Sequence, residues 1–112
     1  MKGIKFVILF SSIVFCSAQW LENTIYLPDE YSGAIYPRAL TYNATNNKIY
    51  VGGFMGGTVV VIDGATNYKI ARIGTGYQMY DILWNSISNK VYVANYTNNS
   101  VTIINGATNS VI

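Results

Sequence analysis

The sequence predicts an all-β protein built from one four-stranded antiparallel meander used twice. Composition is the first ground. Of the 112 residues, 51% are hydrophobic and 11% are charged, and Tyr occurs 10 times. A disordered chain needs low hydrophobicity and high net charge, whereas Tyr, Val, Ile and Thr suit a pleated, partly buried surface. Punctuation is the second ground. Short apolar runs are separated by clusters of Gly and Asn, the pattern of strands and turns. Repetition is the third. Residues 39–70 lie over residues 81–112 without a gap, at the 42-residue spacing that separates Lys48 from Lys90.

The chain begins with a short basic stretch, Met1 to Lys5. An apolar block follows, Phe6-Val7-Ile8-Leu9-Phe10 and Ile13-Val14-Phe15, and then the small residues Cys16-Ser17-Ala18. This three-part plan predicts a secretory signal peptide over residues 1–18, cleaved after Ala18. The apolar block is shorter than the roughly 20 residues of a spanning helix, so no membrane span is expected after cleavage. A lipoprotein signal places a small residue before its Cys. Phe15 stands there instead, so Cys16 is expected to leave with the peptide.

Residues 19–36 form a separate strand-and-loop segment. Residues 24–27 read as one short strand, ended by Pro28, which cannot donate to a ladder. Tyr31-Ser32-Gly33-Ala34 reads as loop. Asp29 and Glu30 are adjacent carboxylates, but neighbours in an extended chain point to opposite sides. They suit a solvated turn better than acid–base chemistry.

Residues 37–112 carry the two repeats. The first contains strands at 39–42, 48–52, 58–62 and 68–73. The second contains strands at 81–84, 90–95 and 100–104, and the start of a fourth at 110–112. Identities across the repeat include Asn43/Asn85, Asn47/Asn89, Lys48/Lys90, Tyr50/Tyr92, Val59/Val101, Gly64/Gly106 and Asn67/Asn109. The breaks are turn chemistry. Asn43 to Asn47 and Asn85 to Asn89 join first and second strands. Met55-Gly56-Gly57 and Thr97-Asn98-Asn99 join second and third. Gly and Asn adopt positive φ at low cost, as tight turns demand. Asp63-Gly64-Ala65-Thr66-Asn67 and Asn105-Gly106-Ala107-Thr108-Asn109 join third and fourth, with the leading side chain able to bond the backbone two residues on.

Val59-Val60-Val61-Ile62 does not alternate, and neither does Ile103-Ile104. A sheet with one wet face would alternate. A four-stranded meander of about 42 residues, covered on both faces, is the description of a propeller blade. Two blades do not close a ring, and the second stops inside its last strand. The chain therefore reads as the N-terminal piece of an incomplete β-propeller with bare outer faces. Further blades are the expected partners, from missing C-terminal sequence or from other copies.

Asn89-Lys90-Val91-Tyr92-Val93-Ala94-Asn95, with Ser100 to Asn105 and Ala107-Thr108-Asn109 after it, resembles the YVTN-type β-propeller repeat. Tyr92-Val93-Ala94-Asn95 stands where that family has Tyr-Val-Thr-Asn. The first unit departs from it, since Gly52-Gly53 follows Tyr50-Val51. Pro37 sits where the family often has Pro entering the first strand. The resemblance covers residues 37–112. It implies a secreted or surface protein of a bacterium or archaeon that acts as a scaffold or binding surface. Some related propellers carry redox cofactors on His or other ligands that this chain lacks.

Chemistry is narrowed by what is missing. The chain has no His and one Cys, so it cannot build a Ser-His-Asp or Cys-His unit or a Cys/His zinc cluster. Past the signal peptide, Arg38, Lys48, Lys69, Arg72 and Lys90 balance Glu22, Asp29, Glu30, Asp63 and Asp81. With no basic cluster, nucleic acid is not an expected partner. Asp63 alone is too few carboxylates for a calcium cage. No catalytic, cofactor or metal residues are assigned. Tyr50, Tyr92, Phe54, Tyr96 and Trp84 are candidates for a sugar-stacking platform. Matching positions in the two units favour packing between blades instead. Asn43-Ala44-Thr45, Asn95-Tyr96-Thr97 and Asn98-Asn99-Ser100 fit the glycosylation acceptor pattern, which Asn-rich turns produce by chance. The reading is a secreted, non-enzymatic propeller that presents a binding or structural surface, with protein or glycan ligands. The alternative is the non-catalytic propeller portion of a larger secreted enzyme.

Overall fold

The computed structural model describes residues 22–27 and 33–112. The expected signal peptide, Cys16, Asp29 and Glu30 lie outside the described residues. Seven strands follow in order: β1 (Ile35–Asn43), β2 (Lys48–Met55), β3 (Thr58–Asp63), β4 (Lys69–Gly74), β5 (Met79–Asn85), β6 (Lys90–Asn95) and β7 (Ser100–Asn105). They form two antiparallel meanders, a four-stranded sheet in the order β1-β2-β3-β4 and a three-stranded sheet in the order β5-β6-β7. Among the described residues there is no helix. A fourth strand of the second sheet begins with the bridge between Ile104 and Val111. Ile112 N donates to Ile103 O at 2.9 Å.

The repeat is visible in the backbone. Asn47 and Asn89 both have a φ of 50°, and Asn67 and Asn109 have φ values of 62° and 61°. Asn tolerates this left-handed region better than other residues with a side chain, so the same Asn ends the same turn in each unit. The β3–β4 turn is held by Asp63 Oδ1, which accepts from Ala65 N at 2.8 Å and Thr66 N at 2.9 Å. Asn105 Oδ1 accepts from Ala107 N at 2.9 Å and Thr108 N at 3.2 Å in the second unit.

Three expectations are corrected. Residues 24–27 do not pair as a strand; they run as irregular chain. Leu27 is buried there with Ala34 against Val51, Val60 and Ile62, and Ile25 packs beside them. The segment therefore covers an apolar face instead of extending a ladder. The outer faces are accordingly not both bare. The first sheet's outer face is partly closed by this segment, and the open apolar face belongs to the second sheet. In addition, β1 starts earlier than expected, at Ile35, and passes through Pro37. The register shifts between Pro37 and Ala39, and it shifts between Met79 and Asp81 at the same place in the second unit, so the bulge belongs to the repeat and Pro37 sits in a position that tolerates it.

The main core lies between the sheets. Tyr50, Val59, Val61 and Ile73 of the first sheet meet Met79, Ile82, Val91, Val93 and Ile104 of the second. Side chains alternate across a strand, so Val59 and Val61 enter this core while Val60 and Ile62 face the N-terminal segment. That two-sided burial is the physical reason the β3 sequence does not alternate.

Candidate functional site

The seam between the sheets is where repeat identity turns into geometry. Strand β5 lies across β1 and β2. Gly52 makes the approach possible, since a Cβ there would stand 2.9 Å from Ile82 Cδ1 and from Met79 Sδ. One end of the seam is a polar latch. Lys48 Nζ donates to Gly106 O at 3.1 Å, Ala107 O at 2.9 Å and Asn109 Oδ1 at 3.1 Å. The Tyr50 hydroxyl shares two of these acceptors, at 3.1 Å from Gly106 O and 2.9 Å from Asn109 Oδ1. Burial pushes the Tyr50 phenol above its ordinary pKa, so the neutral, donating form is the one held there. Beside it, Asn43 Nδ2 donates to Asn89 Oδ1 and Asn89 Nδ2 donates to Asn46 Oδ1, each at 2.9 Å.

The other end is aromatic. The Arg38 guanidinium lies 4.1 Å from the Tyr80 ring centroid and 5.7 Å from that of Phe54. Tyr80 also meets Tyr96, with centroids 5.5 Å apart and planes tilted by 36°. A cation over a ring face is attracted by its quadrupole, so this cluster ties β1 to β5 across the seam.

The five candidate aromatics do not form one platform. Tyr50 is fully buried in the seam. Trp84 packs against the same core and donates through Nε1 to Asn89 Oδ1 at 3.1 Å. Phe54 and Tyr96 belong to the Arg38 cluster, and Tyr92 sits on the far face of the second sheet. Of the acceptor-pattern asparagines, Asn43 is 0% and Asn95 3% exposed. Asn95 Oδ1 accepts from Gly76 N, and its amide donates to Ser100 and Thr102. Asn98 is exposed, and its Oδ1 accepts from Tyr77 N at 2.8 Å. The Asp63 carboxylate is taken up by its own turn, whose N–H donors hold it below its ordinary pKa.

The far face of the second sheet is open. A cavity of about 390 Å³ is lined by Tyr80, Asn95, Tyr96, Asn99 and Ser100, and adjoins one of about 160 Å³ lined by Asp81, Leu83 and Tyr92. Ala94 and Val101 line both. Forty-two residues earlier, Ala39, Gly52 and Val59 occupy the positions of Asp81, Ala94 and Val101, and those residues face the filled seam. The open groove is therefore the repeat equivalent of the surface on which β5 lies. Sequence reasoning had the identical pairs Lys48/Lys90, Tyr50/Tyr92, Gly64/Gly106 and Asn67/Asn109 in view, but not that they form a latch. Arg38 was missed because Tyr80 stands at its position in the second unit.

No family model matches the chain, and no curated protein matches it. Among solved structures, Kuenenia stuttgartiensis hydrazine synthase is similar, with a TM-score of 0.65 at 16% sequence identity. The match covers 83% of this chain and 25% of that one. The chain thus spans a quarter of that neighbour's length, and the likeness is one of fold, an all-β arrangement of antiparallel sheets.

Proposed function

We propose that the two units are blades of an exported β-propeller of the YVTN type, and that the protein presents a binding or structural surface without catalysis. The observation that carries this reading is the seam. Two copies of one meander stack face on face through a core and a latch built from residues that recur in the repeat. Such stacking can be extended by further units, which is how a propeller grows. The basic-apolar-small N-terminal pattern supports export. Binding of the exported protein to arrays of glycans, peptidoglycan fragments and cell-surface proteins is the test. A surface protein is expected to retain one of these classes, and retention of none leaves the structural role. N-terminal sequencing of the exported material checks cleavage after Ala18.

One observation favours the second reading, a propeller portion of a larger secreted enzyme. The solved structure that the fold resembles carries an enzyme's name and is about four times as long as the matched region. Turnover by the natural full-length protein, with its active residues mapping outside residues 19–112, would replace the scaffold reading with this one.

A further inference from the structure

The latch has two free halves on this chain. Lys90 and Tyr92 stand where Lys48 and Tyr50 stand in the first unit, on the side of the second sheet that bears the open groove. Among the described residues neither side chain donates to any acceptor. Their counterparts reach an Asn-Gly-Ala-Thr-Asn turn, using two carbonyls and the side chain of its last Asn. That Asn is in place because its φ of 61° turns the chain back there.

We infer that Lys90 and Tyr92 form the specificity-determining end of a docking groove that admits a further unit of the same repeat by reading its Asx-Gly-Ala-x-Asn turn. The inference rests on the blade reading above and deepens it to the residues that select the next unit. In the filled seam, the segment from Thr75 through β5 occupies the equivalent groove. Thr75 N donates to Gly57 O, Tyr77 lies over Gly57, and Met79 and Ile82 lie over Gly52. The occupant therefore brings a Gly-containing link, an apolar first strand and the turn.

A second copy of this chain is not that occupant. Its Asp63-Gly64-Ala65-Thr66-Asn67 turn has the right sequence. To deliver it, the copy must dock through Ile49, Val51 and Ile62, the positions of Val91, Val93 and Ile104 in the filled seam. Leu27 and Ala34 already lie on those residues. The N-terminal segment closes the first unit to docking, and so the array grows from the second unit only.

The test compares residues 19–112 with an extended chain in which a second copy of residues 71–112 follows Ile112. This keeps the 42-residue spacing, since Ile70 is the repeat equivalent of Ile112. The extended chain is expected to melt higher and to bind less hydrophobic dye. Lys90→Met with Tyr92→Phe is expected to lower Tm of the extended chain by about 4 °C or more, and to move the original chain by less than about 1 °C. Lys48→Met, which breaks the formed latch, is the positive control in both. An extended chain with no gain in Tm and no loss of dye binding overturns the blade reading and the inference together. A gain in Tm that the Lys90 and Tyr92 substitutions leave intact overturns the inference alone. So does self-association of the original chain that those two substitutions abolish, since it would make the second copy the occupant.

Discussion

At the scale of single residues, the two units show how one substitution permits another. Gly53 faces the backbone of Ala34 and Ile35, where no Cβ fits. At the same place in the second unit the pair is reversed, with Asn95 on the strand and Gly76 on the incoming link. A Cβ on Gly76 would stand 2.6 Å from Asn95 Cβ. Bulk is thus exchanged across one contact. The exchange has a cost, because Asn95 donates to Ser100 Oγ at 3.3 Å, while the equivalent Thr58 Oγ1 is buried without a partner. An unpaired buried hydroxyl costs about 1–3 kcal/mol. Thr58→Val, nearly the same shape, is expected to raise stability by about 1 kcal/mol in urea unfolding; a loss of stability would show that the hydroxyl has a partner. A second residue-scale prediction concerns Asp63. Its pKa is lowered by the N–H donors of Thr66 and Ala65. A group whose folded pKa is depressed stabilises above its ordinary value, about 3.8 here, and loses that contribution as pH falls through the folded pKa. Asp63→Asn, which copies Asn105, is expected to flatten the acid limb of a Tm-against-pH curve while leaving the turn formed. An unchanged acid limb would remove Asp63 from the account. These turns were legible because Asn, Asp and Gly declare their backbone preferences. Tyr36 and Gln78, both at a φ of 52°, were not, since neither side chain favours that region and only the neighbouring bulge requires it.

At the scale of elements, the strands were legible and their partners were not. Strand β6 occupies the expected residues 90–95, because Lys90 and Asn95 border an apolar run flanked by turns. Strand β4 starts at Lys69 instead of Tyr68, and β1 runs four residues further back than expected. Alternation failed to mark which face of β3 meets the second sheet, since Val59 to Ile62 are apolar throughout. The recurring residues carried that information in the latch instead. Lys48 reaches across from β2 to the turn after β7, and hydrogen bonds to a charged group contribute about 1.5–3 kcal/mol when well formed. Lys48 is only half-buried, so Lys48→Met is expected to cost about 1–2 kcal/mol in urea unfolding. Lys90→Met, on the open face, is expected to cost nothing measurable in the same chain. Equal losses would show that the Lys supports its own sheet and not the seam.

At the scale of the whole molecule, the decisive contrast is between the two outer faces. On the first sheet, the N-terminal segment lies over Val51, Val60 and Ile62. No residue pattern in that segment announced this, because Ile25 and Leu27 alternate as a strand would and act as a cover. On the second sheet, Leu83 is 63% and Val101 58% exposed, although Val59, the repeat equivalent of Val101, is fully buried. Contiguous exposed apolar surface of this kind marks an interaction or aggregation site. Residues 19–112 alone are therefore expected to bind hydrophobic dye and to associate as concentration rises. The first unit supplies the remedy, for Thr41 stands where the second has Leu83. Leu83→Thr with Val101→Thr keeps β-branched residues on a pleated surface and removes apolar area that faces solvent. Exposed positions of this sort change stability by about 0.5 kcal/mol or less, so the double variant is expected to lose dye binding and association while keeping its Tm within about 2 °C. Light scattering and thermal melts on the same samples decide the matter. A large fall in Tm would mean that Leu83 and Val101 are core residues, packed against a partner sheet within the same molecule.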